Sequence, residues 1–278
     1  MKHALYLLFA ICLSSFFVSC NQKSDGNDKD QMAEFADDEK FKEAHDTPKE
    51  VDNSKFIGSK VTIETAGESA SAYAISPAGP SDNFLFVIHE WWGLNDNIKE
   101  ESDRLFKALG ETVHVMALDL YDGKSTANRE EAGKFMQSVK PERCAEIIQG
   151  AIDKTGSDAN IGTIGWCFGG GWSLQASIMA GDKGAGCVLY YGMPEKDARK
   201  IAPLKADVLG IFASEDGWIT PKVEQEFKNL MAATGKNLES HSFKAGHAFA
   251  NPSGDNFNSE ATQQANDLAL AFLKERLN

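Results

Sequence analysis

A mostly parallel β-sheet covered by helices on both faces is the fold class this sequence predicts, and two observations carry it. From about residue 54 onward, short apolar runs of strand length alternate with stretches of helix length, and no internal repeat divides them. One run, Phe84 to Ile88, is continuously apolar, as expected of a strand buried on both faces.

The elements follow in order. Val61–Ile63 and Ala72–Ile75 read as an opening antiparallel pair around a Gly67-Glu68 turn. Phe84–Ile88, Val113–Leu118, Ile161–Ile164, Cys187–Tyr190, Val208–Ala213 and Leu238–Phe243 supply the remaining strands. Helices are expected near 97–109, 129–138, 141–154, 168–179, 221–233 and 260–277. Right-handed crossovers place the C-terminal ends of the parallel strands on one edge, where sites form.

The first twenty residues obey other rules. Lys2 and His3 precede an apolar run, Ala4 to Val18, interrupted only by Ser14 and Ser15. It is short for a bilayer span and has the length of a signal-peptide core. It ends in Phe17-Val18-Ser19-Cys20, which resembles a bacterial lipobox with Phe17 in place of the usual leucine. That resemblance implies a signal peptide over 1–19, lipidation of Cys20 and a lipid-anchored place in the bacterial cell envelope. The alternative is an ordinary secretory signal with a cysteine nearby.

Residues 21–53 hold eleven acidic residues against five lysines, with few large apolar side chains. Such a composition predicts a flexible acidic tether, with at most a short helical turn at Phe35 and Phe41. The globular domain is then 54–278. The formal charge of −13 has no basic cluster within it and argues against nucleic acid as a partner. A small-molecule substrate, the membrane through the lipid, and a monomeric state are the expectations.

Of the five cysteines, Cys12 falls in the signal and Cys20 at the lipidation position, leaving Cys144, Cys167 and Cys187. An odd number leaves at least one thiol free. Cys144 and Cys187 either pair or stay buried and inert.

Chemistry is concentrated at three strand ends. Gly165-Trp-Cys167-Phe168-Gly-Gly-Gly171 lies between a strand and a helix, the nucleophile-elbow pattern with Cys for Ser. Small neighbours permit the sharp turn, the helix N-terminus favours a thiolate, and the Phe168 amide faces a developing oxyanion. Asp216 follows the strand Val208–Ala213, and His247 follows Leu238–Phe243. The order nucleophile, acid, histidine suits an elbow of this kind. His3, His45, His89, His114 and His241 have no comparable context. Glu90 leaves the buried strand Phe84–Ile88 beside Trp91 and Trp92, an apolar setting that raises a carboxyl pKa and makes it a usable base. A structural hydrogen bond is the alternative role for Glu90.

Gly-Trp-Cys-Phe-Gly-Gly at 165–170, Asp216, Ala-Gly-His-Ala-Phe-Ala at 245–250, Phe84 to Asn95 and Asp119-Leu-Tyr121 together resemble the dienelactone hydrolase family over roughly residues 54–278. The resemblance implies an α/β-hydrolase fold without a large lid domain. It implies that Cys167, Asp216 and His247 form the triad, that Glu90 takes the Cys167 proton when substrate arrives, and that the Trp91 and Phe168 amides form the oxyanion hole. The family's substrate-carboxylate clamp is matched only in part. Arg129 stands at the first arginine, Ala248 replaces a serine and Asn251 stands at the second arginine. Losing one anion clamp argues for a different ester, lactone or thioester. No CxxC, HExxH, dinucleotide fingerprint or P-loop occurs, so no metal and no cofactor is expected. The rival readings are a catalytically retired binding lipoprotein on this fold and, less well supported for want of a resolving cysteine, a thiol redox protein.

Overall fold

The computed structural model describes residues 30–277, so the signal-like run and Cys20 lie outside the described residues. Eight strands form one sheet: β1 Ser59–Ile63, β2 Ala70–Ile75, β3 Asn83–Ile88, β4 His114–Leu118, β5 Asn160–Trp166, β6 Gly184–Tyr190, β7 Asp207–Ala213 and β8 Leu238–Phe243. Their order is β1-β2-β4-β3-β5-β6-β7-β8. The β1–β2 and β2–β4 pairs are antiparallel and all others parallel. β3, whose unbroken apolar sequence signalled double-sided burial, lies inside the sheet, and Leu85 to Ile88 are fully buried.

The helices are α1 Glu39–Glu43, α2 Asp96–Ala108, α3 Arg129–Ser138, α4 Pro141–Lys154, α5 Phe168–Ala180, α6 Ala198–Ile201, α7 Pro221–Ala233 and α8 Ser259–Leu277. Their starts carry local signals. The Asn95 side chain caps α2 by accepting from the Ile98 amide at 3.1 Å. Pro141 and Pro221 open α4 and α7, where a missing N–H costs nothing. β6 starts three residues before the apolar signal. Gly186 there must stay small, because a Cβ would stand 2.6 Å from Arg276 Cδ and 2.9 Å from the Phe272 ring of α8.

The expected flexible tether is corrected over residues 30–53. This stretch folds into a 3-10 turn at Gln31–Phe35, α1 and a second 3-10 turn at Asn53–Lys55, and it lies against Trp91 and Cys167 at the C-terminal ends of β3 and β5. Met32, Ala36, Phe41 and His45 are buried. Asp38 caps α1, accepting from the amides of Lys40 and Phe41. Asp30 accepts from the Trp172 indole at 2.7 Å, Asp38 from that of Trp218 at 3.2 Å, and Lys42 pairs with Glu130 at 3.0 Å. Net acidity misled because a few anchors, not the average composition, decide whether a short segment docks. Residues 30–50 are called the strap below.

Candidate active site

The elbow forms as its glycines require. Cys167 has φ 54° and ψ −117°, a conformation ordinary side chains avoid. It is held between β5 and α5, its amide donating to the Tyr190 carbonyl at 3.0 Å. A Cβ on Gly165 would stand 2.1 Å from the Gly169 carbonyl oxygen. One on Gly169 would stand 2.4 Å from the carbonyl oxygens of Ile88 and His89. Both contacts are with backbone, so neither position admits a side chain without moving the turn.

Three strand ends then converge. His247 Nε2 lies 3.3 Å from Cys167 Sγ, and Nδ1 lies 2.7 Å from Asp216 Oδ2. Asp216 is fixed in turn by the amides of Trp218 and Ile219, which donate to Oδ1 at 2.8 and 2.9 Å. Burial pulls the His247 imidazole down, but the facing Asp216 and Cys167 outweigh it and hold the ring above its ordinary value. Burial raises Asp216, and the His247 charge with the three donated hydrogen bonds more than reverses that. Burial pushes the Cys167 thiol up, offset in part by His247 and the Phe168 amide. That amide bonds toward the sulfur, in keeping with its place at the elbow.

Glu90 is buried and its carboxyl is pushed up to about 7 by loss of solvent, against His247 and a hydrogen bond from Asn251. Asn251 Nδ2 donates to Oε2 at 2.9 Å. The residue standing at the second arginine of the clamp therefore holds the candidate base. His89 braces the same turn: Nδ1 lies 2.6 Å from the Glu90 carbonyl, and Nε2 accepts from the Leu120 amide at 3.1 Å. A cleft of about 670 Å³ reaches Glu90, Tyr191 and Asn251 from the side of α2 and α8. Cys167, Asp216 and His247 do not line it.

The strap closes the other approach. Cys167 is 0%, His247 1% and Asp216 4% exposed, so solvent does not reach the triad in this form. The Phe41 ring lies edge-on to Trp91 and Trp218 at 5.4 and 5.3 Å and tilted over His247 at 5.5 Å. His45 Nε2 sits 3.7 Å from Cys167 Sγ, while Nδ1 lies 2.7 Å from the Phe41 carbonyl. Burial, with the nearby His247, drives the His45 imidazole down to about 3, so the ring is neutral. This histidine, which has no strand-end context in the sequence, is a direct neighbour of the Cys167 sulfur.

Arg129 is not open to a substrate carboxylate here. Its Nε donates to the His45 carbonyl at 2.6 Å, and its Nη2 pairs closely with Asp46. Trp91 is buried against Phe41, His45 and Trp92. Cys144 and Cys187 are free and buried, which rules out the disulfide between them. His45, Cys167 and His247 bring one ligand atom each within 4.8 Å of one another, a grouping that motif searching along the sequence does not find.

A family model described as the dienelactone hydrolase family matches residues 70–277. The chain belongs to the dienelactone hydrolase family. It is 27% identical over 236 residues to Protein usf of Aquifex pyrophilus, covering 80% of this chain and 100% of that one. It is 24% identical to carboxymethylenebutenolidase 1 of Cupriavidus pinatubonensis, covering 78% and 95%. Among solved structures, a dienelactone hydrolase-like promiscuous phosphotriesterase from metagenomic libraries superposes with TM-score 0.68 at 16% identity, covering 80% and 99%. The dienelactone hydrolase of Anabaena variabilis gives 0.56 at 18% identity, covering 80% and 98%. These structural likenesses establish the α/β-hydrolase fold, and the family membership makes this chain a dienelactone hydrolase-like ester hydrolase.

Proposed function

We propose that this protein cleaves a carboxylic ester or lactone through an acyl-thioester on Cys167, with His247 and Asp216 as its acid–base pair. The hydrogen-bonded chain from Asp216 through His247 to the Cys167 sulfur carries the reading. The sulfur attacks the carbonyl carbon, and the π pair moves to oxygen between the amides of Phe168 and Trp91. The thiol proton passes to Glu90, whose carboxyl is poised near neutrality and is turned by Asn251. Collapse of the adduct expels the alkoxide, which takes a proton from the His247 imidazolium; in a lactone it stays tethered to the acyl chain. His247 then removes a proton from water, the hydroxyl adds to the thioester, and the thiolate leaves as the acid is released, taking back the proton held by Glu90. Arg129 binds an anionic substrate only when Asp46 has left it. That dependence, with Asn251 committed to Glu90, supports a neutral ester or lactone over a dianionic one.

Incubation of the purified protein with aryl esters, lactones and thioesters, quenched for mass spectrometry, tests this. Acylation confined to the peptide bearing Cys167 is the expected result. Turnover without any acyl adduct at Cys167, under conditions where deacylation is slowed, would return the reaction to direct water attack.

The lipobox-like Cys20 supports a cell-envelope location, with the domain tethered to a membrane by its N-terminus. Cys20→Ala is expected to move the protein from the detergent phase to the aqueous phase on partitioning. Equal partitioning of parent and variant would mean that Cys20 is not the anchor.

A further inference from the structure

We propose that His45, Cys167 and His247 form a binding site for a zinc-class divalent cation, one completed only when the strap is seated. The three atoms come from separate parts of the chain: the strap after α1, the elbow after β5 and the loop after β8. Tetrahedral zinc at ordinary Zn–S and Zn–N lengths separates a sulfur from a nitrogen ligand by about 3.5 Å. The sulfur here lies 3.3 Å from His247 Nε2 and 3.7 Å from His45 Nε2, on either side of that figure, and the three atoms lie within 4.8 Å of one another, so the two imidazoles would close toward the ion by about 1 Å to make the site tetrahedral.

The surroundings are those of a metal site. Each imidazole bonds to an oxygen through Nδ1, His247 to Asp216 and His45 to the Phe41 carbonyl, leaving both Nε2 atoms aimed at the sulfur. Such outer partners fix the tautomer and orient the ligand ring. A cation at their centre engages all three atoms once the thiol and the His247 ring have given up their protons. A sulfur with two imidazoles selects zinc-class or softer ions over magnesium and calcium. Binding displaces two protons to solvent, one from the thiol and one from His247 Nε2, forms one metal–sulfur and two metal–nitrogen bonds, and leaves the fourth position to a water carried in with the ion.

The consequence is a closed enzyme. The cation would tie the strap, through His45, to the nucleophile it covers. The binding site is independent of the hydrolytic reading, whereas the inhibition that follows from it rests on that reading.

Full-length protein, stripped with chelator and kept reduced, is titrated with Co²⁺ as a spectroscopic probe and with Zn²⁺ during iodoacetamide alkylation of Cys167, read by peptide mass spectrometry. Expected are one Co²⁺ per chain, a near-ultraviolet thiolate-to-cobalt band, and slowing of Cys167 alkylation by Zn²⁺. His45→Gln should weaken Co²⁺ binding by about tenfold or more, the scale on which even outer partners act. Limited proteolysis within residues 30–50 establishes that the strap is still seated in that variant. Cys167→Ala should abolish the band in a chain that also carries Cys12→Ala and Cys20→Ala, because the remaining Cys144 and Cys187 are buried elsewhere. Equal Co²⁺ affinity in a strap-seated His45→Gln protein, or a band that survives Cys167→Ala, overturns the proposal. Ester hydrolysis lost in Cys167→Ala with no cobalt band in the parent would sink the cation site and leave the hydrolase. A cobalt band with no esterase activity would do the reverse.

Discussion

Two surfaces meet at Cys167, and they are built differently. The catalytic edge is assembled from backbone: β5, β7 and β8 are tied into a parallel ladder, and the elbow, the Asp216 turn and the His247 loop hang from their ends. The strap is held by side chains: the Phe41 ring, two indole hydrogen bonds, and ion pairs from Asp46 and Lys42 to the two ends of a single peptide unit in α3, Arg129 and Glu130. Partly exposed ion pairs contribute about 0–1 kcal/mol each, and burying one phenyl ring about 1.5–3 kcal/mol. Breaking the edge requires unfolding a sheet, while releasing the strap requires breaking these contacts, the Arg129 and Asp255 hydrogen bonds to His45 and Asp46, those of Lys49, and the burial of Met32, Ala36 and His45, with no strand lost. Cys167, the proposed nucleophile, is therefore covered by the more easily moved of the two surfaces.

The largest effect tests the edge. Cys167→Ala removes the atom proposed to attack without touching the ladder, and kcat/KM is expected to fall by about 10³-fold or more, since members of such a catalytic unit fail together. Its melting temperature should stay close to that of the parent, because alanine removes one sulfur atom from the buried turn and leaves the β5–α5 packing in place. Residual turnover within tenfold of the parent would remove Cys167 from the mechanism.

Glu90 lies where the two surfaces adjoin, and its expected effect is smaller. Glu90→Gln keeps size and the Asn251 contact but loses the base, so the acylation rate should fall by about 10²-fold, the worth of a positioned proton acceptor. Because burial lifts the carboxyl from 4.5 to about 7, the parent's acylation should rise with pH through neutrality. That limb should vanish in the variant. Stability runs the other way. A carboxyl whose folded pKa is raised keeps its contribution below the unfolded value near 4.5 and loses it as pH rises through 7. Parent stability should fall across that window, and Glu90→Gln should flatten the fall. A rate limb that persists in the variant would hand the proton to His247 alone.

What could be read from the sequence divides along the same line. β3 was legible because an unbroken apolar run has few other destinations, and the elbow because its glycines cluster at a strand-to-helix turn, Gly165 being demanded by the Gly169 backbone four residues on. Asp216 and His247 were legible from their places just past strands. The strap was not, because Phe41 and His45 have meaning only against Trp91, Trp218 and Cys167, which are far along the chain and come together only in the fold. Asn251 was noticed for the arginine it lacks; its hold on Glu90, 161 residues away, has no local signature. Local patterns report what the backbone needs. They are silent on a short segment docked by side chains.

The smallest effect tests whether the strap is the gate. Arg129 joins it to α3 through the His45 carbonyl and the Asp46 carboxylate, and the ion pair is about one-third exposed on the Arg129 side. Arg129→Ala removes both contacts while leaving Phe41 in place, so the seated form should weaken by about 1 kcal/mol, or roughly fivefold in its equilibrium. Alkylation of Cys167, which requires the strap to lift, should then quicken by a similar factor, and Asp46→Asn should give a smaller share of it. Hydrolysis of a neutral ester should quicken alongside. Phe41→Ala should exceed both, because it removes the ring that lies over His247 as well as buried apolar area. If Arg129→Ala instead slows hydrolysis of neutral esters while alkylation quickens, the guanidinium serves the substrate even without an anion to bind. If neither rate changes, the reagent and the ester reach Cys167 by another route, for which the cleft at Glu90, Tyr191 and Asn251 is the opening at hand. Filling that cleft with Ala250→Trp would then block both rates, whereas a strap that gates the site leaves alkylation indifferent to it.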